Sequence, residues 1–422
     1  MSRSIKSAKN LRYALIGQFF GLIISFVARI FFIKILGEVY LGVNGLFSNI
    51  LTVLSLAELG IGEAITYSLY EPLAKKDEKK CVMFMQLYKK IYNIIGVIIF
   101  ILGLMITPFL NFFVAENTEI ENLKFIFLLY VINTSASYFF SYKRNLIIAD
   151  QNRYIVSFYR YIFYFLVNLF QIIFLYITKD FIIYLWIQII MTLLENIAVS
   201  KKADNMYPFL KDKKKVKMNK ETKDVIKNNT KAMLMHKIGG VVVCSTDNII
   251  ISKFVSLVSV GIYSNYYMIT NALNIIFSQI YSSITASIGN LCIMDDSNRQ
   301  LEVFNQINFL GFWVYSFSSI CLLCLLNPFI ELWLGDKYLF PMNIVLIIVV
   351  NFYTIGMRKA ILTYREAAGL FYKDRWKSIF EAVLNLILSI IMSLKWRGFW
   401  CFVSNISKFY SIKFLDRTLY FI

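Results

Sequence analysis

Apolar runs of about twenty residues recur along the chain, each long enough to cross ~30 Å of hydrocarbon as a helix, and short polar stretches separate them. The pattern predicts eleven membrane-crossing helices. The first covers Leu11 to Leu36 and exits near Gly37, and the second covers about Tyr40 to Tyr70. The third to sixth follow at about Ile91–Val114, Leu123–Tyr142, Tyr154–Ile177 and Phe181–Val199. After the longest polar stretch, 200–231, a seventh span leads to an eighth (Val260–Ile293), a ninth (Asn305–Ile330), a tenth (Phe340–Leu362) and an eleventh (Trp376 to about Leu394).

Charges sit inside the first two spans: Arg29 and Lys34 in one, Glu58 and Glu63 in the other. Each costs at least ~2.5–3.5 kcal/mol in a lipid-spanning helix, so such a side chain normally faces protein or a water-filled cavity and marks a pathway. Gln18, Ser25 and Arg29 return to nearly one helical azimuth and give the first span a polar stripe. Lys34 lies off that stripe.

Composition agrees with the pattern: 422 residues, 58% hydrophobic, 17% charged and mean hydropathy +0.61 describe an all-α polytopic membrane protein. A net charge of +18 would raise the question of nucleic acid in a soluble chain. Here the Lys and Arg residues cluster between spans, which is the positive-inside signal, and no nucleic-acid partner is implied. Arg3, Lys6, Lys9 and Arg12 place the amino terminus in the cytoplasm ahead of an uncleaved first helix. The 71–82 loop, the 200–231 stretch with its eleven Lys residues and the basic 363–375 loop belong on the same side. The acidic segment with Glu116, Glu119 and Glu121 fits outside. Cys321 and Cys324 have redox-motif spacing, but within the run CLLCLL they read as small buried hydrophobes.

The second half repeats the first. An offset of 219 without gaps pairs Asn10 with Asn229, Arg12 with Lys231, Gly21 with Gly240, Lys34 with Lys253 and Gly42 with Gly261, and takes Gln18, Ser25 and Arg29 onto Lys237, Cys244 and Asn248. Asp247 lies beside that second stripe. Six spans separate the repeats, so they are parallel, related by an axis along the membrane normal, with a substrate site expected between them. The organisation expected is an N-lobe over 1–200, a basic cytoplasmic linker over 201–231, a C-lobe over 232–394 and an atypical tail over 395–422.

The segments RIFFIKILGEVYLGVNGLFSNILTVLSLAELGIGEAITYSLYEPLA and STDNIIISKFVSLVSVGIYSNYYMI resemble the first helical hairpins of the two lobes in bacterial polysaccharide-transport flippases, of the multidrug/oligosaccharidyl-lipid/polysaccharide exporter superfamily. The likeness covers about residues 5 to 393. It implies two six-helix lobes around a central cavity, and alternating-access transfer of undecaprenyl-pyrophosphate-linked repeat units across the bacterial plasma membrane for capsule or O-antigen-like glycans. The partners implied are the lipid-linked oligosaccharide, membrane lipids and polysaccharide polymerase machinery. No cofactor is implied beyond a coupling proton or sodium ion, and the protein is not expected to be an enzyme. One departure matters: after Ile391 the family continues through a glycine-containing twelfth helix, whereas this chain reads MSLKWRGFWCFVSNISKFYSIKFLDRTLYFI. A frameshifted or truncated carboxyl end is the expectation.

The residue chemistry stands beside that resemblance. A sugar-pyrophosphate lipid carries at least two negative charges, and moving them through hydrocarbon needs a cationic, hydrated cavity. Arg29 and Lys237 are the candidates, with Gln18, Ser25 and Asn248 on the same stripes. Against this, Arg29 reads as a structural ion pair and Lys237 as a snorkelling side chain. Glu58 and Asp247 are candidates for taking up a coupling ion or proton; Glu58 reads equally as the partner of Arg29 or Lys34. His236 is read as interfacial. A peptidoglycan-precursor flippase shares the pyrophosphate handle and is the nearest rival. The basic stripe argues against a drug-cation exporter, and the short outer loops argue against a glycan polymerase.

Overall fold

The computed structural model describes residues 3–58, 61–114, 120–211, 248–294 and 297–367, with Val383 and Ile387. Among them all regular structure is helical. The chain divides into two compact units, one of Met1–Tyr40, Phe47–Phe112 and Glu116–Lys237, the other of Leu41–Leu46, Phe113–Ala115 and Ile238–Ile422.

The helices of the first unit are α1 (Arg3–Leu54), α2 (Ile61–Ala74), α3 (Glu78–Ile106), the short α4 (Leu110–Phe113), α5 (Leu123–Ala149), α6 (Arg153–Thr178) and α7 (Phe181–Met206). Residues 41–46 of α1 and 113 of α4 group with the second unit. α1 is two helices joined at Gly37, whose φ of +83° and ψ of −179° break the helix. A side chain is strained at that φ; the first span ends there as its sequence predicts. In the second unit, α8 (Leu257–Met294), α9 (Ser297–Leu334), α10 (Met342–Met357) and α11 (Lys359–Ala367) follow a short helical stretch over 248–254.

Among the described residues six helices are long and apolar enough to cross a membrane, or seven if the bent α5 counts as one, and the first of the six, Arg12–Glu58, contains the break at Gly37. Phe109, Tyr176, Trp313 and Leu332 turn outward as a lipid-facing side chain does. This is a multi-pass membrane protein. The expected seventh span before Asn248, the eleventh span, the linker beyond Lys211 and the 395–422 tail lie outside the described residues.

Several boundaries differ from the expected ones. The second span is not one helix: α1 passes into a 3-10 turn, Ser55–Glu58, and helix resumes at Ile61. The hydroxyls of Thr52 and Ser55 donate to the carbonyls of Ser48 and Thr52, the competition with backbone bonding that bends helices. The third span starts at Glu78, not near Ile91, because the Asp77 carboxylate accepts from Lys80 N at 3.0 Å and caps the helix within the basic loop. α5 continues past Tyr142 to Ala149 and bends by 48° near Phe139–Ser141. Lys143 and Arg144 therefore lie on a helix, with Lys143 Nζ 2.6 Å from Asp204 and Arg144 donating to Glu195 and Asn196. α7 likewise runs to Met206, taking in the start of the expected linker. The tenth span divides at Arg358 into α10 and α11.

Candidate functional site

The polar stripe of α1 runs along α6. Gln18 accepts from the Tyr161 hydroxyl at 3.3 Å, Ser25 Oγ lies 2.5 Å from the Tyr164 hydroxyl, and Arg29 has the phenols of Tyr164 and Tyr184 as electrostatic neighbours. The facing residues of α6 form a stripe of their own: Tyr161, Tyr164, Asn168 and Gln171, spaced three, four and three apart on one helical face. Asn168 donates to the Tyr164 carbonyl and Gln171 to that of Tyr184, and both side chains are buried. Sequence reasoning found the α1 stripe and missed the α6 one, although its spacing is legible in the sequence.

Tyr184 belongs to an aromatic cluster between α1 and α7. Phe32 meets Phe181 and Tyr184 edge-on with ring centroids 5.8 and 5.3 Å apart, and Tyr40 lies 5.0 Å from Phe181. Arg29 is half-buried, with Tyr164 and Tyr184 as its electrostatic neighbours. A guanidinium in this setting keeps its charge and offers forked donors to an anion, while the phenols supply hydroxyls and ring faces suited to sugars.

Glu58 has a separate setting in the same unit. The Tyr92 hydroxyl donates to Glu58 Oε1 at 2.6 Å, and the phenol of Tyr138 is an electrostatic neighbour of that carboxylate. Tyr88 lies 3.2 Å from the Tyr92 hydroxyl and 3.1 Å from the Gly62 carbonyl oxygen, and Asn145 donates to Tyr88. Gly62 makes room for this network: a Cβ there would sit 2.7 Å from Glu58 Oε1 and closer still to Tyr92. The expected pairing of Glu58 with Arg29 or Lys34 does not hold. Arg29 precedes Gly37 by eight residues and Glu58 follows it by twenty-one. At 1.5 Å per residue these are about 12 and about 31 Å of helix, so whatever the angle at Gly37 the two lie at least about 19 Å apart along the chain axis.

Asn248, the repeat counterpart of Arg29, packs in the second unit beside Gly45, and its Oδ1 is buried with no hydrogen-bond partner among the described residues. Lys237, Asp247 and His236 lie outside the described residues. The Lys359 ammonium donates to Ser278 Oγ of α8 at 2.9 Å. Cys321 and Cys324 are both free thiols.

A family model described as polysaccharide biosynthesis protein matches residues 7–285. No curated protein matches the chain in sequence. Among solved structures, the chain is similar to an inward-facing multidrug-resistance transporter of the MATE family and MOP superfamily, at TM-score 0.73 and 13% identity over 94% of each chain. It is also similar to the lipid II flippase MurJ in an inward closed conformation, at TM-score 0.67 and 15% identity over 97% of this chain and 87% of that one. A third likeness is to a MOP-superfamily transporter from Pyrococcus furiosus described by the reverse polarity of its binding pocket, at TM-score 0.62 and 12% identity over 98% and 96%.

Proposed function

Because this chain belongs to the polysaccharide biosynthesis protein family, we propose that it is a flippase that carries undecaprenyl-pyrophosphate-linked oligosaccharide repeat units across the bacterial plasma membrane by alternating access. Its product feeds surface polysaccharide of the capsule or O-antigen kind, assembled with polysaccharide polymerase machinery. The observation that carries the reading is Arg29: a guanidinium within an apolar span, half-buried and walled by phenols. A permanent cation at that depth is costly unless it faces an anion or a hydrated cavity, and the pyrophosphate is an anion that must cross. Gln18 and Ser25, already bonded to α6, hold the stripe in place; Lys237 and Asn248 would extend it from the second repeat.

Coupling is assigned to Glu58, beside two phenols and able to exchange a proton or sodium ion, with Asp247 as its candidate counterpart. The amino terminus, the 71–82 loop, the 200–231 linker and the 363–375 loop face the cytoplasm. The direct test is translocation of a fluorescent undecaprenyl-pyrophosphate-linked oligosaccharide in vesicles holding the full chain. The reading expects leaflet exchange well above that of protein-free vesicles. Exchange of lipid II alone would transfer the protein to peptidoglycan-precursor transport, a reading that the likeness to MurJ keeps in view.

A further inference from the structure

Glu58 takes its bond from Tyr92, and behind Tyr92 stands Tyr88, fully buried, with the two rings edge-on and their centroids 4.5 Å apart. A phenol has a single proton to donate. Tyr88 has two acceptors for it at nearly equal range, the Tyr92 hydroxyl at 3.2 Å and the Gly62 carbonyl at 3.1 Å. Gly62 permits this approach, because a Cβ there would stand 2.9 Å from the Tyr88 hydroxyl and closer still to that of Tyr92. The Tyr88 oxygen is held from another side by Asn145 of α5, which donates to it. Asn145 lies on the arm Ser141–Ala149, beyond the 48° bend, and its neighbours tie that arm to α7: Lys143 Nζ is 2.6 Å from Asp204, and Arg144 is 2.7 Å from Glu195. The oxygen is thus anchored to a braced part of the unit, and the direction of its proton is what stays open.

Resting on the assignment of coupling to Glu58 above, we propose that Tyr88 is a positioning residue, a two-position hydrogen-bond switch whose proton points to Tyr92 while Glu58 is charged and to the Gly62 carbonyl once Glu58 has taken up a proton or sodium ion. A charged carboxylate commits the Tyr92 proton to itself, and a hydroxyl that donates to an anion becomes the better acceptor. The Tyr88 proton follows, and Asn145, Tyr88 and Tyr92 all donate in the direction of the charge. A bound proton or sodium ion neutralises that charge. The pull along the chain fades, a protonated carboxyl competes for the Tyr92 oxygen with its own O–H, and the peptide carbonyl becomes the stronger acceptor for Tyr88. No O–H bond of Tyr88 breaks; the hydroxyl rotates about its C–O bond.

The two positions differ in what they hold. Gly62 lies in the first turn of α2, the helix that follows Glu58, and its carbonyl also accepts from the Thr66 hydroxyl at 2.7 Å. A bond from Tyr88 fastens that turn to α3 and, through Asn145, to the braced arm of α5; its withdrawal leaves the turn to its own helix. Among the described residues, the titratable groups set against Glu58 are the phenols of Tyr92 from α3 and Tyr138 from α5, with Tyr88 next to Tyr92, while the cations of the α5 arm face Asp204 and Glu195 instead. The offset of 219 takes Glu58, Gly62, Tyr88 and Tyr92 onto Phe277, Tyr281, Ile307 and Gly311, which line an apolar groove of about 480 Å³ with no carboxylate among its described lining residues, so the switch belongs to the first repeat.

The test is infrared difference spectroscopy of the full chain in vesicles, with ring-labelled tyrosine. Acidification should raise the C=O band of the neutral Glu58 carboxyl, identified by its loss in Glu58→Gln, and a tyrosine C–O band that is absent from Tyr88→Phe should shift with the same midpoint. Glu58→Gln tests the link without touching Tyr88: its side chain no longer changes charge, so the Tyr88 band should stay in place. A Glu58 band that rises with no Tyr88 shift, or a Tyr88 shift that persists in Glu58→Gln, would overturn the switch. Translocation supplies a second arm. Where the parent rate changes several-fold with pH or sodium, Tyr88→Phe, checked as folded by its unfolding transition, should lose most of that dependence, and a folded variant that keeps all of it would equally overturn the switch. A hydroxyl that only fills a buried space moves none of these readouts. An intact infrared switch in a parent whose translocation ignores both pH and sodium would instead sink the coupling assignment and leave the switch standing.

Discussion

Tyr92→Phe is the most direct probe of the polar network in the first unit. It removes one hydroxyl, the donor that lies 2.6 Å from Glu58 Oε1, and keeps the ring that packs 4.5 Å from Tyr88. A hydrogen bond to a charged group contributes about 1.5–3 kcal/mol, against about 0.5–1.5 kcal/mol for a neutral one. Tyr138 stays beside the carboxylate, and Tyr88 keeps its bond to the Gly62 carbonyl, so the loss stays near one hydrogen bond and the fold survives. The expected destabilisation is therefore about 2 kcal/mol, read from equilibrium unfolding in lipid-containing micelles. A double-mutant cycle with Glu58→Gln isolates the pair, and the coupling energy should itself be about 1.5–3 kcal/mol. Additivity within about 0.5 kcal/mol would show that the bond contributes nothing specific and would refute the reasoning. If Glu58 also takes up the coupling ion, Tyr92→Phe should shift the pH or sodium dependence of translocation while the protein still binds substrate.

Arg29→Ala should abolish translocation with little loss of folded protein, and Arg29→Lys should retain part of it, since lysine keeps the charge but loses the planar fork; a fully active, well-expressed alanine variant moves the pyrophosphate site elsewhere. Gly356→Ala places a Cβ within the ring of the fully buried Tyr315, and overpacking of this kind should cost about 1–3 kcal/mol in unfolding free energy. An unchanged unfolding curve would show that Tyr315 moves freely. A single cysteine at Lys76 should resist a membrane-impermeant thiol reagent in intact cells, and labelling from outside would reverse the proposed orientation.

Helix positions were legible because hydrocarbon thickness fixes their length, and the break at Gly37 because glycine alone accepts its φ without strain. Helix ends were less so. Charge density marked Lys79, Lys80, Lys143 and Arg144 as loop, whereas a capping Asp77 and the acidic partners Asp204 and Glu195 keep all four on helices. Those partners are about fifty to sixty residues away in sequence, and no local pattern announces them. The same holds for Glu58. Its apolar surroundings suggested a nearby cation as partner, but the structure meets the carboxylate with phenols from α3 and α5, and a hydrogen-bond donor satisfies a buried acceptor as a countercharge does.

What the repeat conserves is position, and what it changes is chemistry. Gly62 with Tyr92 and Tyr281 with Gly311 solve one steric problem, the close approach of one ring to a helix, with the bulky member on opposite partners. That exchange leaves the hydroxyl of Tyr92 aimed at a carboxylate in the first unit, and the hydroxyl of Tyr281 beside Gly311 in a groove whose other lining is almost wholly hydrocarbon. A substrate with a charged head and a long apolar chain poses two solvation problems that no single cavity meets, because hydrating the head is incompatible with keeping the chain dry. The proposed function meets the first of these with Arg29 and Glu58 of the first unit, and the position corresponding to Glu58 in the second unit is the apolar Phe277. Phe277→Glu, at the position of Glu58, sets a carboxylate against the rings of Tyr315 and Phe352, where Phe277 now packs at 5.0 and 6.4 Å, and should therefore lower the unfolding free energy by about 1–3 kcal/mol. An unchanged unfolding curve would mean that this position accepts a carboxylate as readily as its counterpart in the first unit does.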